Sequence, residues 1–463
     1  MTLAPHPIHG IVTYFLCVFG TILAALPFQQ VLLTIVCARI DPALDYETCA
    51  KSSQVQRNMA SWSLWFANGT DIPALFAMIL AGYFVDRIGR KAALLVSATA
   101  MTLKAIAYIL AASGAASLEV LFFVSVVTGV MGGTSLMDVA CSGYISATTD
   151  SDNRTKYFML QSFSIQVVMM SAPLLGGIIG EKIGFISVFA SMLIMSVILL
   201  GYLFFVFPDV ALVESDSAPK SIRSVFSDSV TSTFNTIHLL FSYKASFGLL
   251  ALMTLFAISA SGSEAMFLLY PALKFGWQSI DVGAFASFIS VIRIGLLTLA
   301  LPVIQTFLSS GHTKNKTKGE IILMQSSLLM AVTGEICLGL SETATQFWMA
   351  SVPVSFSVFA VPSAKALVST LLPANYQGRL FSSISLFQTV TGIVSIVVIN
   401  GIYRATVEKA PNTVFFVMAG LYFTGFLISL IFVRSRTVDA MRVACGSVDS
   451  EEVQPTEETP LLA

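Results

Sequence analysis

Charged side chains are scarce in this sequence. Asp, Glu, Lys and Arg make up 11% of its 463 residues, where a soluble protein carries about 25%. With 56% of its residues apolar, the chain cannot cover itself with polar surface. That excludes a water-soluble globule and implies a lipid bilayer as its solvent. Neither sign of charge dominates, with 25 Lys and Arg against 26 Asp and Glu, so no nucleic-acid partner is implied. Histidine is limited to His6, His9, His238 and His312. All four fall at loops or interfaces, which leaves no membrane-buried histidine relay. The cysteines Cys17, Cys37, Cys49, Cys141, Cys337 and Cys445 are scattered. No CxxC pair or Cys/His cluster offers a metal site, and the four in apolar runs act as small hydrophobes. No nucleophile–base set or phosphate loop is present, so neither an enzyme nor a cofactor is expected. The first apolar run is too long for a cleavable signal peptide and lacks a small-residue cleavage site.

What is abundant is long apolar runs. A helix needs about 20 apolar residues to cross the hydrocarbon. Twelve stretches qualify: 11–37, 61–85, 92–112, 119–146, 158–181, 185–207, 245–271, 281–307, 320–340, 347–371, 381–404 and 411–433. The expected fold is an all-α polytopic membrane protein. The Ser-rich link 208–243, punctuated by Pro208 and Pro219, divides it into six-helix bundles over 1–207 and 244–436, with a tail over 437–463. That layout is the one of a transporter built from two repeats. Within the link, Ile222, Phe226, Val230 and Phe234 recur every fourth residue. They make an apolar stripe that suits either a helix lying on the membrane surface or a tether. With the N-terminus inside, fifteen Lys and Arg fall on the cytoplasmic side and seven on the other, so both termini are expected to be cytoplasmic.

Between the second and third runs lies Gly82-Tyr-Phe-Val-Asp86-Arg87-Ile-Gly89-Arg90-Lys91, a short charged turn between two apolar segments. Its charges alone would set topology. The full pattern Gly-x-x-x-Asp-Arg-x-Gly-Arg-Lys resembles the loop signature of the major facilitator superfamily. The resemblance implies twelve helices in two pseudo-repeats and alternating access, with the loop as a gating element.

A charge at bilayer depth is costly, and such residues are functional candidates. Three basic residues remain inside the runs, Lys104, Arg293 and Lys365, with the acids Asp71, Asp138, Glu264 and Glu335. At 1.5 Å per residue, Asp71 and Lys104 both lie about 24–26 Å from the charged turn on neighbouring antiparallel runs. They are expected to form a buried ion pair. Asp138 lies 16 residues before Arg154, and Lys365 lies 14 before Arg379. The two occupy equivalent runs, the fourth and the tenth, so they are candidates for substrate or proton coupling across one cavity. Separate local pairs within each half are the alternative. Glu264 in the seventh run is the first choice for a proton carrier, since an acid in apolar surroundings holds its proton more readily. Arg293 lies near the midplane of the eighth run, and Glu335 is a structural partner for it.

Further segments resemble the proton-coupled folate transporter and heme carrier branch of this superfamily and its fungal-type relatives: GSEAMFLLYPALKFGW at 262–277, VPSAKALVSTLLPANYQGRLFSS at 361–383, NGIYRATV at 400–407 and ISATTDSDNRTKYF at 145–158. That resemblance implies a secondary transporter of a small, anionic organic solute, coupled to protons. Lys365 stands where that branch has an arginine tied to proton and substrate binding. Lysine keeps the charge and loses the bidentate fork, so folate itself is not carried over. Cys49 matches one half of the branch's disulfide, but Gly276 occupies the partner position, so Cys49 is expected to be unpaired. Two rival readings remain. Ser171-Ala-Pro-Leu-Leu-Gly-Gly177 resembles a motif of proton-antiport exporters and implies efflux of amphipathic metabolites or toxins. A transporter-shaped receptor is the other. The tail ends with Glu457 followed by Leu461 and Leu462, a pattern that resembles an acidic dileucine sorting signal for adaptors. The chain is therefore expected in the plasma membrane or in a vacuolar or lysosomal one.

Overall fold

The computed structural model describes residues 4–40, 53–87, 89–150, 153–208, 231, 234–238, 240–275, 277, 279–300, 316–371, 377–406 and 409–444. The side chains of Asp86, Arg87 and Glu264, most of the stripe at 222–234 and the tail residues Glu457, Leu461 and Leu462 lie outside this description. Among the described residues every regular element is helical. The N-terminal set comprises α1 (Pro7–Ile40), α2 (Ser53–Arg87), α3 (Arg90–Ala112), α4 (Leu118–Val130), α5 (Gly133–Ala147), α6 (Arg154–Lys182) and α7 (Phe185–Phe205). The C-terminal set comprises α8 (Lys244–Phe275), α9 (Ser279–Gly295), α10 (Lys316–Leu340), α11 (Ala344–Ser355), α12 (Ala360–Ser369), α13 (Gln377–Thr406) and α14 (Thr413–Phe432), followed by the short α15 (Ser435–Ala444). Nine segments among the described residues are long and apolar enough to cross a membrane, or up to ten if a bent pair counts as one span. The stretches expected at 61–85 and 381–404 lie within α2 and α13, helices of 35 and 30 residues.

Two of the expected continuous helices are broken, and at corresponding places. The fourth run divides between α4 and α5 because Gly132 and Gly133 take φ of 80° and 50°, a left-handed backbone that side chains with a Cβ resist. The break is stitched locally: Gly132 N–H donates to the Gly129 carbonyl at 2.8 Å, and Ser97 Oγ donates to the Gly133 carbonyl at 2.7 Å. The tenth run divides between α11 and α12 at a 3₁₀ turn over Phe356–Phe359. Pro353 lies just before it and has no N–H to continue the α-helical ladder. In the eighth run, α9 passes into a π-helical turn over Leu296–Ala300.

The helices are held by close packing. Buried apolar residues run through both sets, from Leu32, Leu94 and Phe158 to Leu249, Leu367 and Leu380. At the end of the C-terminal set away from the charged turn, Tyr270, Phe285, Phe347 and Phe415 form a buried aromatic cluster. Tyr270 there lies 4.8 Å from Phe415, edge to face. Cys37 is disulfide-bonded to a partner outside the described residues, which corrects its reading as a small free hydrophobe.

The exporter-like segment at 171–177 has two adjacent glycines with different surroundings. A Cβ on Gly176 would collide with the Leu23 carbonyl of α1, whereas one on Gly177 would meet nothing within 4 Å. Gly176→Ala is therefore expected to destabilise the fold by about 1–3 kcal/mol, and Gly177→Ala to stay within about 0.5 kcal/mol of wild type. Thermal unfolding of both variants in detergent micelles checks this. Equal losses would show that the motif does not act through the α1–α6 contact.

Candidate functional site

The two helix breaks place a charge at the same point beyond each. Asp138 is the sixth residue of α5, and Lys365 is the sixth residue of α12. The structure brings them together across the two sets. Lys365 Nζ lies 2.8 Å from Asp138 Oδ2 and 3.0 Å from Oδ1. Interrupted helices at matching positions of two repeats are where transporter folds build their sites. Neither side chain is sealed, with exposures of 12% for Lys365 and 24% for Asp138. A fully buried pair would be slow to separate, since each ion strands the other when it leaves. Partial opening leaves this one within reach of a solute.

Two neutral groups complete the surroundings of Asp138. Gln161 Nε2 on α6 donates to Oδ1 at 3.2 Å. Ser142, one turn along α5, reaches Oδ1 at 3.5 Å and lies 3.4 Å from Lys365 Nζ. Tyr14 of α1 and Cys141 of α5 lie within electrostatic reach of the carboxylate. Sequence reasoning missed Gln161 and Ser142. The available signal was spacing: Ser142 is four residues after Asp138, and Gln161 is seven after Arg154, so each shares a helix face with a charged residue.

Just beyond the ion pair, toward the charged turn, the two sets touch. A Cβ on Gly82 of α2 would lie 2.7 Å from Arg379 Cα and collide with Ser382 Oγ on α13, so the helices meet there backbone to backbone. Arg154 Nη1 at the start of α6 donates to the Ser369 carbonyl at the end of α12 at 2.8 Å. Gln377 Nε2 donates to the same carbonyl at 2.8 Å. Thr155 Oγ1 donates to the Glu320 carboxylate of α10, and Phe158 meets Phe381 edge to face at 5.9 Å. The ion pair thus lies above a closed layer that joins α2, α6, α10, α12 and α13.

The charged turn itself is built into this layer. Gly89 takes φ of 114°. Arg90 is buried with its guanidinium close to Gly143 on α5. Lys91 Nζ donates to the Phe207 and Phe204 carbonyls at 3.1 and 3.4 Å, which satisfies acceptors at the end of α7.

The remaining candidates are arranged differently from one another. Asp71 and Lys104 lie close enough to interact electrostatically, yet no direct ion pair joins them, and Lys104 Nζ sits 5.8 Å from the Tyr108 ring. Counting residues gave both the same depth. Depth leaves the direction around each helix axis open, and Lys104 turns along its own helix. Arg293 lies in the last turn of α9, just before the π turn, and α9 packs on α6. Glu335 is completely buried in α10. Glu264 is on α8, and its side chain lies outside the described residues.

The layer at the Gly82 end generates a prediction. Gly82→Val should push α2 from α13 and cost the closed arrangement about 1–3 kcal/mol. A cysteine replacing Ser369, which is fully buried, should then react with maleimide about five- to a hundredfold faster from that end, in a background without reactive native thiols. An unchanged rate would show that the contact at Gly82 does not hold this end shut.

The comparisons with known proteins agree with this architecture. The sequence profile of the Major Facilitator Superfamily matches residues 28–398. The tetracycline resistance protein, class C, of Escherichia coli is 24% identical over 365 residues, covering 75% of this chain and 83% of that protein. The lysosomal proton-coupled steroid conjugate and bile acid symporter SLC46A3 of Gallus gallus is 22% identical over 361 residues, covering 76% and 74%. Among solved structures, the human organic anion transporter MFSD10 superposes with a TM-score of 0.68 at 15% identity, covering 92% of this chain and all of that one. The transporter FucP in its outward conformation superposes with a TM-score of 0.67 at 11% identity, covering 93% and 99%. With its family profile, its helical fold and its paired helix breaks, this multi-pass membrane protein belongs to the major facilitator superfamily and is a transporter, not an enzyme.

Proposed function

We propose that the protein moves an anionic, amphipathic organic solute by alternating access, coupled to protons, and that Asp138 and Lys365 are its exchange site. The observation that carries this reading is the 2.8 Å ion pair across the two sets. Without solute, Lys365 is held by Asp138. An anion entering the cavity competes with Asp138 for Lys365. The freed carboxylate then takes a proton or is held by neutral donors, which links the two binding events thermodynamically. Glu264 on α8 and Arg293 on α9 are the further proton- and anion-handling candidates. The two six-helix halves, with 208–243 as the link between them, are the units that rock. Asp86 and Arg87, with Gly82, Gly89, Arg90 and Lys91, form the gate. The proton-coupled steroid conjugate and bile acid symporter among its relatives supports an anionic solute with a large apolar body.

A second reading is export of amphipathic compounds. The Ser171–Gly177 segment and the tetracycline resistance relatives favour it.

Lys365→Gln removes a charge-assisted contact of about 1.5–3 kcal/mol. The apparent KM for a radiolabelled bile acid in vesicles should therefore rise tenfold or more, while Lys365→Arg keeps much of the activity. Glu264→Gln and Asp138→Asn should flatten the dependence of uptake on an imposed pH gradient. Unchanged KM and pH profile in Lys365→Gln would move the balance to the export reading. The tail, through Glu457, Leu461 and Leu462, is proposed to bind sorting adaptors and direct the protein to a lysosomal or vacuolar membrane. Replacing Leu461 and Leu462 by alanine should shift a fluorescent fusion to the plasma membrane. No shift would remove the tail as the address.

A further inference from the structure

We propose that Gln161 is a positioning residue for Asp138, holding its carboxylate when Lys365 turns to the solute. The inference rests on the exchange role given to Asp138 and Lys365 above. Asp138 Oδ1 takes three donors, from Lys365 at 3.0 Å, Gln161 at 3.2 Å and Ser142 at 3.5 Å. Among the described residues, Oδ2 takes Lys365 alone, at 2.8 Å. Lys365 is the partner that has to leave. A carboxylate abandoned by its cation in low-dielectric surroundings either captures a proton or needs other donors. Gln161 is the donor suited to stay: it is only 3% exposed, it carries no charge that an anion could draw away, and it projects from α6, not from the helix of Lys365. Its orientation follows from chemistry, since only the amide N–H can donate to a carboxylate.

Chargeable groups close to Asp138 are Lys365 of α12, Tyr14 of α1 and Cys141 of α5; Cys17 of α1 lies near Tyr14 and Cys141, with Lys104 acting on it. Other chargeable groups on helices packed against α5 are His9 and Arg39 of α1, Arg57, Asp71, Asp86 and Arg87 of α2, Arg90 and Lys91 of α3, Glu119 of α4, Arg154, Lys156, Glu181 and Lys182 of α6, and Arg379 and Arg404 of α13. Gln161 adds no charge to this set. Its effect is on the balance between the two states of the carboxyl group. A hydrogen bond to the carboxylate is roughly twice as strong as a neutral one to the acid, so loss of the amide favours the protonated form.

Isotope-edited infrared spectroscopy of the full-length protein in lipid nanodiscs, titrated without solute, tests this. The acid carbonyl band of Asp138 is assigned by its absence in Asp138→Asn. In Gln161→Met, which keeps the side chain's length and removes the donor, the midpoint at which that band appears should move about half to one and a half units toward alkaline pH. Gln161→Glu, which sets a second carboxyl beside the first, should move it the same way and serves if the methionine variant does not fold. The pH profile of radiolabelled bile-acid uptake should shift in parallel. A midpoint within about 0.2 units of wild type in a folded variant overturns the role of Gln161. Absence of bile-acid uptake in the wild-type protein would overturn the transport reading and leave the infrared result standing.

Discussion

One ion pair is the interaction on which the proposed transport cycle depends. In a chain with so few charges, Asp138 and Lys365 are placed at corresponding points of two broken helices and meet at 2.8 Å. Each could be buried alone only at a large cost, because an unpaired ion in a low-dielectric interior keeps its full desolvation penalty. Their meeting links α5 to α12, while α5 packs on α13 and α12 on α6 across the two sets. The hydrogen bonds of Arg154 and Gln377 to the Ser369 carbonyl and the contact of Gly82 with α13 then close the layer beneath it. A carrier needs such an interaction to be favourable and replaceable, and the partial exposure of both side chains keeps it replaceable.

The helix breaks support the proposal that the pair serves a solute. Gly132 and Gly133 interrupt the helix of the fourth apolar run, and a 3₁₀ turn just after Pro353 interrupts that of the tenth. Irregular backbone at membrane depth is tolerated where it is buried in protein or lines a cavity. Here its freed groups are met locally by Ser97 and Gly129. The charged turn contributes in a different way. Lys91 covers the end of α7, and Arg90 lies under α5, so a segment whose charges suit a topology signal also fastens three helices.

The sequence was most legible where chemistry is rare. Charges inside apolar runs stand out, so Asp138, Lys365, Asp71 and Lys104 could be named, and residue counting ranked their depths. Counting along a helix says nothing of direction around it, and that is why Asp71 and Lys104 come within electrostatic reach without a direct ion pair. The division of the fourth span was hidden because Met131-Gly132-Gly133 is apolar enough to continue the run, and glycine's left-handed backbone leaves no mark in hydropathy. Gln161 was hidden for the opposite reason: a neutral amide in a helix of mixed polarity looks like filler until its partner is known. The disulfide at Cys37 could not be read from a chain whose cysteines show no regular spacing.

The central claim is that solute and Asp138 compete for one cation. A double-mutant cycle measures that competition directly, with the apparent KM for a radiolabelled bile acid determined in wild type, Asp138→Asn, Lys365→Gln and the double variant. The account predicts that Asp138→Asn alone lowers KM, because it releases Lys365, and that the same change has no effect once Lys365 is glutamine. Equal effects of Asp138→Asn in both backgrounds would contradict it.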